Sequence, residues 1–455
     1  MTEGRMVRGV SLLHAITIIL GYVIGASIFL LVGPLAGSAG PCLFLSYIIA
    51  AIPVIFVCLY NVQLGAALPV TAANYVVSTK MISPFCGFFV NWAMVVAVFF
   101  GVPLLAWGFA DYLSFFIPGL PLQPVALGVL ALIALVNYLG VKPAAWLQTF
   151  MVAIFAAALL IFALGGITHI DSQNFDPLFP MGFGAVLMTA VSAYFSYIGF
   201  TVLTEIAGEI KNPRKNIPIA LVISFIAVLT IYFLVTYVLT GTLHWETAGA
   251  SKAAITKAAE GFLPSGLVTF IGLAALFAAA TTINSVLLTS SRDIMMLGRD
   301  GVFPEIFGRI NSRFNTPGAA IGLIFLISAI GVFLAYAIEK YAILAVFGLL
   351  VIHLFAATAV FRLPKIRPDL FKRARVRFSP FWRWFTWIGS IVVSLFFIVM
   401  GVINDIQSGI FFISLMVLGV VYWFIRKKYL SKKGVDLEES MKKYTDMLNE
   451  ELEVE

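Results

Sequence analysis

The chain reads as an all-α polytopic membrane protein of about 12 transmembrane helices, two inverted groups of five plus two C-terminal helices. Three observations carry that reading. Of 455 residues, 61% are hydrophobic and 11% charged, against roughly 25% charged in soluble domains. About twelve apolar runs reach the ~20 residues that a bilayer crossing requires. Two of these runs, one opening each group of five, contain a stretch of poor helix, the sequence mark of a binding site at the membrane midplane.

The first run, 11–36, follows Arg5 and Arg8. A signal peptide also starts with basic residues. This run is too long for one and lacks a small-residue cleavage site, so it is read as a retained span. Inside it, Gly21 and Gly25, the β-branched residues between them and Ser27 all weaken the helix. Runs at 40–67, 85–112, 122–140 and 143–166 complete the first group, 11–166. The polar stretch Asp171–Pro177 then separates it from the second group, 181–362, with runs at 181–210, 216–241, 263–292, 318–338 and 341–362. The first of these is interrupted at Phe195–Thr201. Five is an odd number, so the second group inserts with the opposite orientation, which is the logic of an inverted repeat. Runs at 383–403 and 408–426 close a membrane domain over 1–430. In the tail, 431–455, Leu437, Met441, Tyr444 and Leu448 recur at helical spacing among charges and predict a short amphipathic helix. The outside loop 242–262 is expected to hold a short surface helix, and Phe303–Ile310 an interfacial one.

With the N-terminus in the cytoplasm, 26 of the 29 Lys and Arg fall on the cytoplasmic side and only Lys252, Lys257 and Lys340 outside. Both termini are therefore expected to be cytoplasmic in a multi-pass protein of the cell membrane. The net charge of +7 follows from this asymmetry. It points to anionic lipid beside the spans, above all at the basic loop 362–383, and not to nucleic acid. Cys42, Cys58 and Cys86 lie in or beside spans without a C-x-x-C pair and read as small buried hydrophobes. No phosphate-binding loop and no His/Cys ligand set is present. An enzyme is not expected, nor is a cofactor.

An interrupted span offers chemistry without charged side chains. In the candidate substrate-binding stretch Val23, Ile24, Gly25, Ala26 and Ser27, the free amide N–H groups of Ala26 and Ser27, at the start of the second half-helix, face an anion, and small Gly25, Ala26 and Ser27 let a ligand approach the backbone. At Phe195, Ile198 and Gly199, carbonyls at the end of the other half-helix face a cation. Together they match a zwitterion. The competing reading is plain packing of small residues. Glu205 and His353 are the deepest ionisable residues. Glu205 is read as an ion-pair or gate residue with a proton site as rival, and His353 as a neutral, hydrogen-bonded group. Glu209 is read as a gate or loop anchor.

The motifs then become specific. Gly21-x-x-x-Gly25-Ala26-Ser27-Ile28-Phe29, Ser196-Tyr197-Ile198-Gly199-Phe200, Gly208 to Pro218 and Ser291-Arg292 through Arg299-Asp300-Gly301-Val302-Phe303-Pro304 resemble signatures of amino acid permeases. These belong to the amino acid–polyamine–organocation superfamily, which has the LeuT-like fold. The resemblance implies a secondary active transporter of amino acids working by alternating access, as symporter or exchanger. It places Val23, Ala26 and Ser27 by the substrate carboxylate and Phe195 and Ile198 by its amino group. Phe195 also matches an aromatic gate. Phe200 is grouped with the gating residues. Asn91, Trp92 and Asn284 are pocket-wall candidates. Some members carry a Lys in the fifth helix, where alignment from Lys142 puts Phe155 here. No metal cluster is expected, but the hydroxyls of Thr281 and Thr282 fall where sodium-coupled relatives bind their ion. The coupling ion, proton or sodium, stays open. Residues 111–121 have no Cys, so a disulfide-linked heavy subunit is not expected. With no acid or base at the breaks, neutral substrates are favoured over polyamines or organic cations. A channel or a non-transporting sensor is the rival from another class.

Overall fold

The computed structural model describes residues 10–68, 73–139, 142–207, 210–311, 313–314, 316–334 and 338–442. Ten helical runs among these are long and apolar enough to cross a membrane. The first of them, Leu12–Ala67, has 56 residues. At 1.5 Å per residue that is over twice the ~30 Å hydrocarbon thickness, and the chain turns within it at Gly40, where φ is +78°. Splitting it there and adding the shorter apolar helix Gly318–Leu334 gives the expected twelve passes.

The first pass is broken into α1 (Leu12–Val23) and α2 (Ala26–Ala39). Ser11 caps α1 by accepting the His14 N–H. α3 (Leu43–Ala67) returns across the membrane and leads to α4 (Ala73–Met81), a short helix that the sequence reading did not separate. α5 (Pro84–Phe116) begins with Pro84 at its first turn and Ser83 as cap, a favoured helix start. α6 (Leu122–Leu139) and α7 (Lys142–Gly166) complete the first group.

In the second group the broken pass consists of α8 (Gly182–Ala193), a 3-10 turn at Tyr194–Tyr197 and a single α turn, α9 (Val202–Glu205). α10 (Pro213–Thr242) follows, again opened by a proline. The 242–262 loop holds two short helices, α11 (Trp245–Ala250) and α12 (Ala254–Ala259), where one was expected. α13 (Ser265–Arg299) is 35 residues long and runs seven residues beyond the expected end at 292. The interfacial helix expected at 303–310 is a 3-10 turn, Glu305–Gly308. Pro304 and two flanking glycines leave too little helix-forming sequence there. α14 (Gly318–Leu334), α15 (Ile338–Ile366), the short α16 (Pro368–Arg373), α17 (Pro380–Asn404) and α18 (Ile406–Ser431) complete the chain. The expected tail helix is present at 437–442, with Leu437 and Met441 buried. Tyr444 and Leu448 lie outside the described residues.

Hydrogen bonds sort the loops onto two ends of the bundle. At one end, Lys211 N–H donates to the Val10 carbonyl, Phe378 N–H to Gln63 Oε1, and the Ser440 hydroxyl to the Asp300 carbonyl. At the other, Lys252 pairs with Asp111 at 2.9 Å and Lys340 with Asp405 at 3.6 Å. The two described chain ends thus share one face. Lys252 and Lys340, two of the three basic residues expected outside, lie on the opposite one.

Candidate functional site

The break between α1 and α2 is where the backbone stops following a helix. Ile24 still has its N–H on the Leu20 carbonyl, at 2.9 Å. Gly25 then leaves the helical region, at φ −38° and ψ −134°. A Cβ on Gly25 would lie 1.8 Å from Thr282 Oγ1. The Thr282 hydroxyl accepts the Ala26 N–H at 3.1 Å and donates to the Ala278 carbonyl at 3.0 Å. The Thr281 hydroxyl donates to the same carbonyl at 2.8 Å. Both hydroxyls expected at a sodium site are engaged with backbone. From Ser27 onward, the first-turn N–H groups of α2 have no acceptor within their own helix, and the positive end of its dipole lies behind them.

The second break brings its own glycine. Ile198 is extended, at φ −65° and ψ 136°, and Gly199 has φ +124°, which an L side chain resists. A Cβ there would also meet Tyr22 Cδ1 at 2.0 Å. The ring of α1 therefore packs on the backbone of the second break. Phe195 is buried, with its ring edge against Gly101 of α5. The Phe195 carbonyl accepts the Ile198 N–H at 3.2 Å, which leaves its second lone pair for another donor.

The two breaks meet at Tyr232 of α10. Its Oη lies 2.6 Å from the Val23 carbonyl oxygen and 2.7 Å from that of Ser196. A phenol has one hydrogen to donate. One of the two carbonyls is therefore always short of a donor. Tyr47 and Tyr197 pack edge-on to Tyr232, with ring centres 5.6 Å and 5.0 Å away. The Tyr47 hydroxyl lies 3.3 Å from Ser196 Oγ, and the Tyr197 hydroxyl donates to the Tyr47 carbonyl at 3.0 Å.

Other expected site residues are spread more widely. Asn284 accepts from Asn137 Nδ2 at 2.7 Å and so faces α6. Two helical steps, about 200°, turn it from the side of α13 that Thr282 presents to the break. Trp92 donates to the Leu415 carbonyl at 2.9 Å and stacks on Tyr422, so it faces α18. Asn91 lines a small cavity with Ser290 and Asp293. Phe200 is buried and packs edge-on to Phe225. Phe155 is buried in α7. His353 Nδ1 lies 2.8 Å from the Tyr194 hydroxyl. Glu205 accepts from Asn74 Nδ2 at 2.6 Å, and its Oε2 is buried with no partner among the described residues. Glu209 lies outside the described residues. No group of three or more His, Cys, Asp or Glu among the described residues has metal-binding geometry.

Sequence reasoning missed Tyr232, Asn74 and Asp293. Asp293 follows Arg292 directly, and that adjacent charge pair looks like the end of a span.

The amino acid permease family model matches residues 10–425. The branched-chain amino acid permease of Bacillus subtilis (strain 168) is 25% identical over 371 residues, 77% of this chain and 80% of that protein. The methylthioribose transporter of the same organism is 25% identical over 382 residues, 79% of this chain and 82% of that protein. The branched-chain amino acid permease of Lactococcus lactis subsp. cremoris (strain MG1363) is 28% identical over 441 residues, 90% of this chain and 93% of that protein. Paired helix breaks joined at their backbones, twelve apolar passes and a match across nearly the full length place this chain in the amino acid permease family.

Proposed function

We propose that the chain is a secondary active transporter of amino acids, with neutral side chains preferred, that carries its substrate between the two broken passes by alternating access. The carrying observation is the shared Tyr232 hydroxyl. Two carbonyls from different breaks lie within 2.7 Å of one donor, and a substrate ammonium supplies the missing hydrogen bonds. The first-turn N–H groups of α2, from Ser27 onward, suit the carboxylate. Ser196 and Val23 are then ammonium ligands beside Phe195 and Ile198. Among the described residues no ionised side chain lies at either break, which favours a net-neutral zwitterion. The names of two relatives, both branched-chain amino acid permeases, agree with an apolar side chain. The shared face of the chain ends is assigned to the cytoplasm, because the basic loops gather there.

The test is counterflow in proteoliposomes. Purified protein is preloaded with each standard amino acid, or with methylthioribose, and exchange of external radiolabel is followed. Saturable exchange of a neutral amino acid is expected, and it should be lost for the analogue without its amino group. Exchange that needs no amino group, or none with any amino acid, would reject the reading.

A further inference from the structure

α13 continues past its apolar run and carries Asp293 into the interior. Asp293 is 6% exposed, and no hydrogen bond or ion pair holds its carboxylate among the described residues. It lines a small cavity between α5, α13 and α14, where Asn91 and Ser290 are the other polar residues and the remaining walls are apolar. The space holds about one water molecule. Asn91 is 4% exposed, and its Nδ2 has no hydrogen-bond partner among the described residues. A buried amide and a buried carboxyl group thus share one small pocket, outside the two breaks.

The charges around Asp293 do not neutralise it in place. On its own helix, Arg292 sends Nη1 back to the Leu288 carbonyl at 2.9 Å, though its charge still acts on Asp293. From α9, Glu205 is the acidic neighbour and repels. From α1, Tyr22 is the titratable neighbour. α5 and α14 bring no ionisable side chain to the cavity. A buried ionised carboxylate without a close partner is costly, so a cation of some kind belongs here. A hard metal ion wants about six oxygen ligands, and the pocket offers three polar side chains. A proton needs one. The resulting carboxylic acid both donates and accepts, which one water and the Asn91 amide can match.

We propose that Asp293 is a proton-binding site of this transporter, taking a proton from water on one side and releasing it on the other once in each transport cycle. The carboxylate gains one O–H bond on loading and loses it on release, and no substrate bond changes. The proposal rests on the transport reading above and adds its coupling ion.

The experiment uses full-length protein in proteoliposomes, with the amino acid identified by counterflow. Wild type should accumulate it about tenfold under an inward proton gradient. Asp293→Asn should fall to the level without a gradient while still performing counterflow. Calorimetric titration in buffers of different ionisation enthalpy gives a readout independent of flux. Wild type should take up protons on substrate binding, and Asp293→Asn should not. If Asp293→Asn fails to fold, Asp293→Glu should keep coupling and Asp293→Ser should lose it. Undiminished proton-driven accumulation in Asp293→Asn overturns the proposal, as does a wild type driven by sodium or by no gradient. Loss of coupling in Glu205→Gln, with full coupling in Asp293→Asn, moves the site to Glu205 and also overturns it. Absence of counterflow in wild type rejects the transport reading instead.

Discussion

At Gly25 a single hydrogen atom decides whether the first pass can break. Any larger side chain drives into Thr282 Oγ1, which lies 1.8 Å from the position of a Cβ. Gly25→Ala should therefore lower initial uptake by about tenfold or more, because a displaced catalytic or binding group costs on that scale. Adding Thr282→Ala removes the clashing oxygen, and uptake should recover in part. The Cβ of residue 282, 3.1 Å away, still crowds the new methyl. Initial rates of radiolabel uptake check both variants. Gly25 and Gly199 were legible in the sequence because glycine among β-branched residues weakens a helix whatever surrounds it. Tyr232 was not. In sequence it is one aromatic within a long apolar helix, and its importance arises only where α10 crosses both breaks. Asn284 and Trp92 erred for a related reason. Residue type marks them as polar or interfacial, but the rotation of the helix determines which neighbour they meet.

At the scale of elements, α4 joins the ends of several helices. Asn74 holds Glu205 of α9, and the neighbouring Tyr75 donates its hydroxyl hydrogen to Asp300 just past α13. Burial pushes the Asp300 carboxyl up to about 7, against the opposing pull of the Tyr75 hydrogen bond. An acid with a raised folded-state value binds more protons folded than unfolded between about pH 4 and about pH 7. Stability should therefore fall as pH rises through that window and level off above it. Asp300→Asn should flatten the fall, by a few kcal/mol at most. Melting temperature in detergent, followed across the window for both proteins, checks this. An unchanged slope would show that Asp300 titrates normally. α4 itself was hidden in the sequence because its nine residues, Ala73–Met81, are too few and too polar to stand out beside a transmembrane run.

At the scale of the molecule, the two ends of the bundle differ in charge. The end bearing the termini also carries the 362–383 loop, where Arg367 pairs with Asp369 at 2.7 Å and holds its carboxyl below the usual range. The other end carries Lys252 and Lys340. With the basic end in the cytoplasm, a cysteine at Lys252 should react with a membrane-impermeant maleimide added to intact cells. A cysteine at Lys372 should react only after the membrane is opened. Native Cys42 and Cys58 are buried and should contribute little background. The opposite labelling pattern would invert the assigned orientation. The number of passes was legible from apolar run length, since a bilayer imposes one length on every crossing. How the passes touch was not legible, because lipid-facing and protein-facing surfaces are almost equally apolar.

The last helix shows what such contacts accomplish. α18 receives the Trp92 indole of α5 on its Leu415 carbonyl, and its Arg426 grips the Gly301 carbonyl beyond α13 at 2.9 Å. It stands outside both groups of five, yet it ties α5 to the segment just past α13, two of the three elements around the Asp293 cavity. Whatever draws these two elements apart must stretch that tie, so α18 acts as a check-strap on how far α5 and α13 can part.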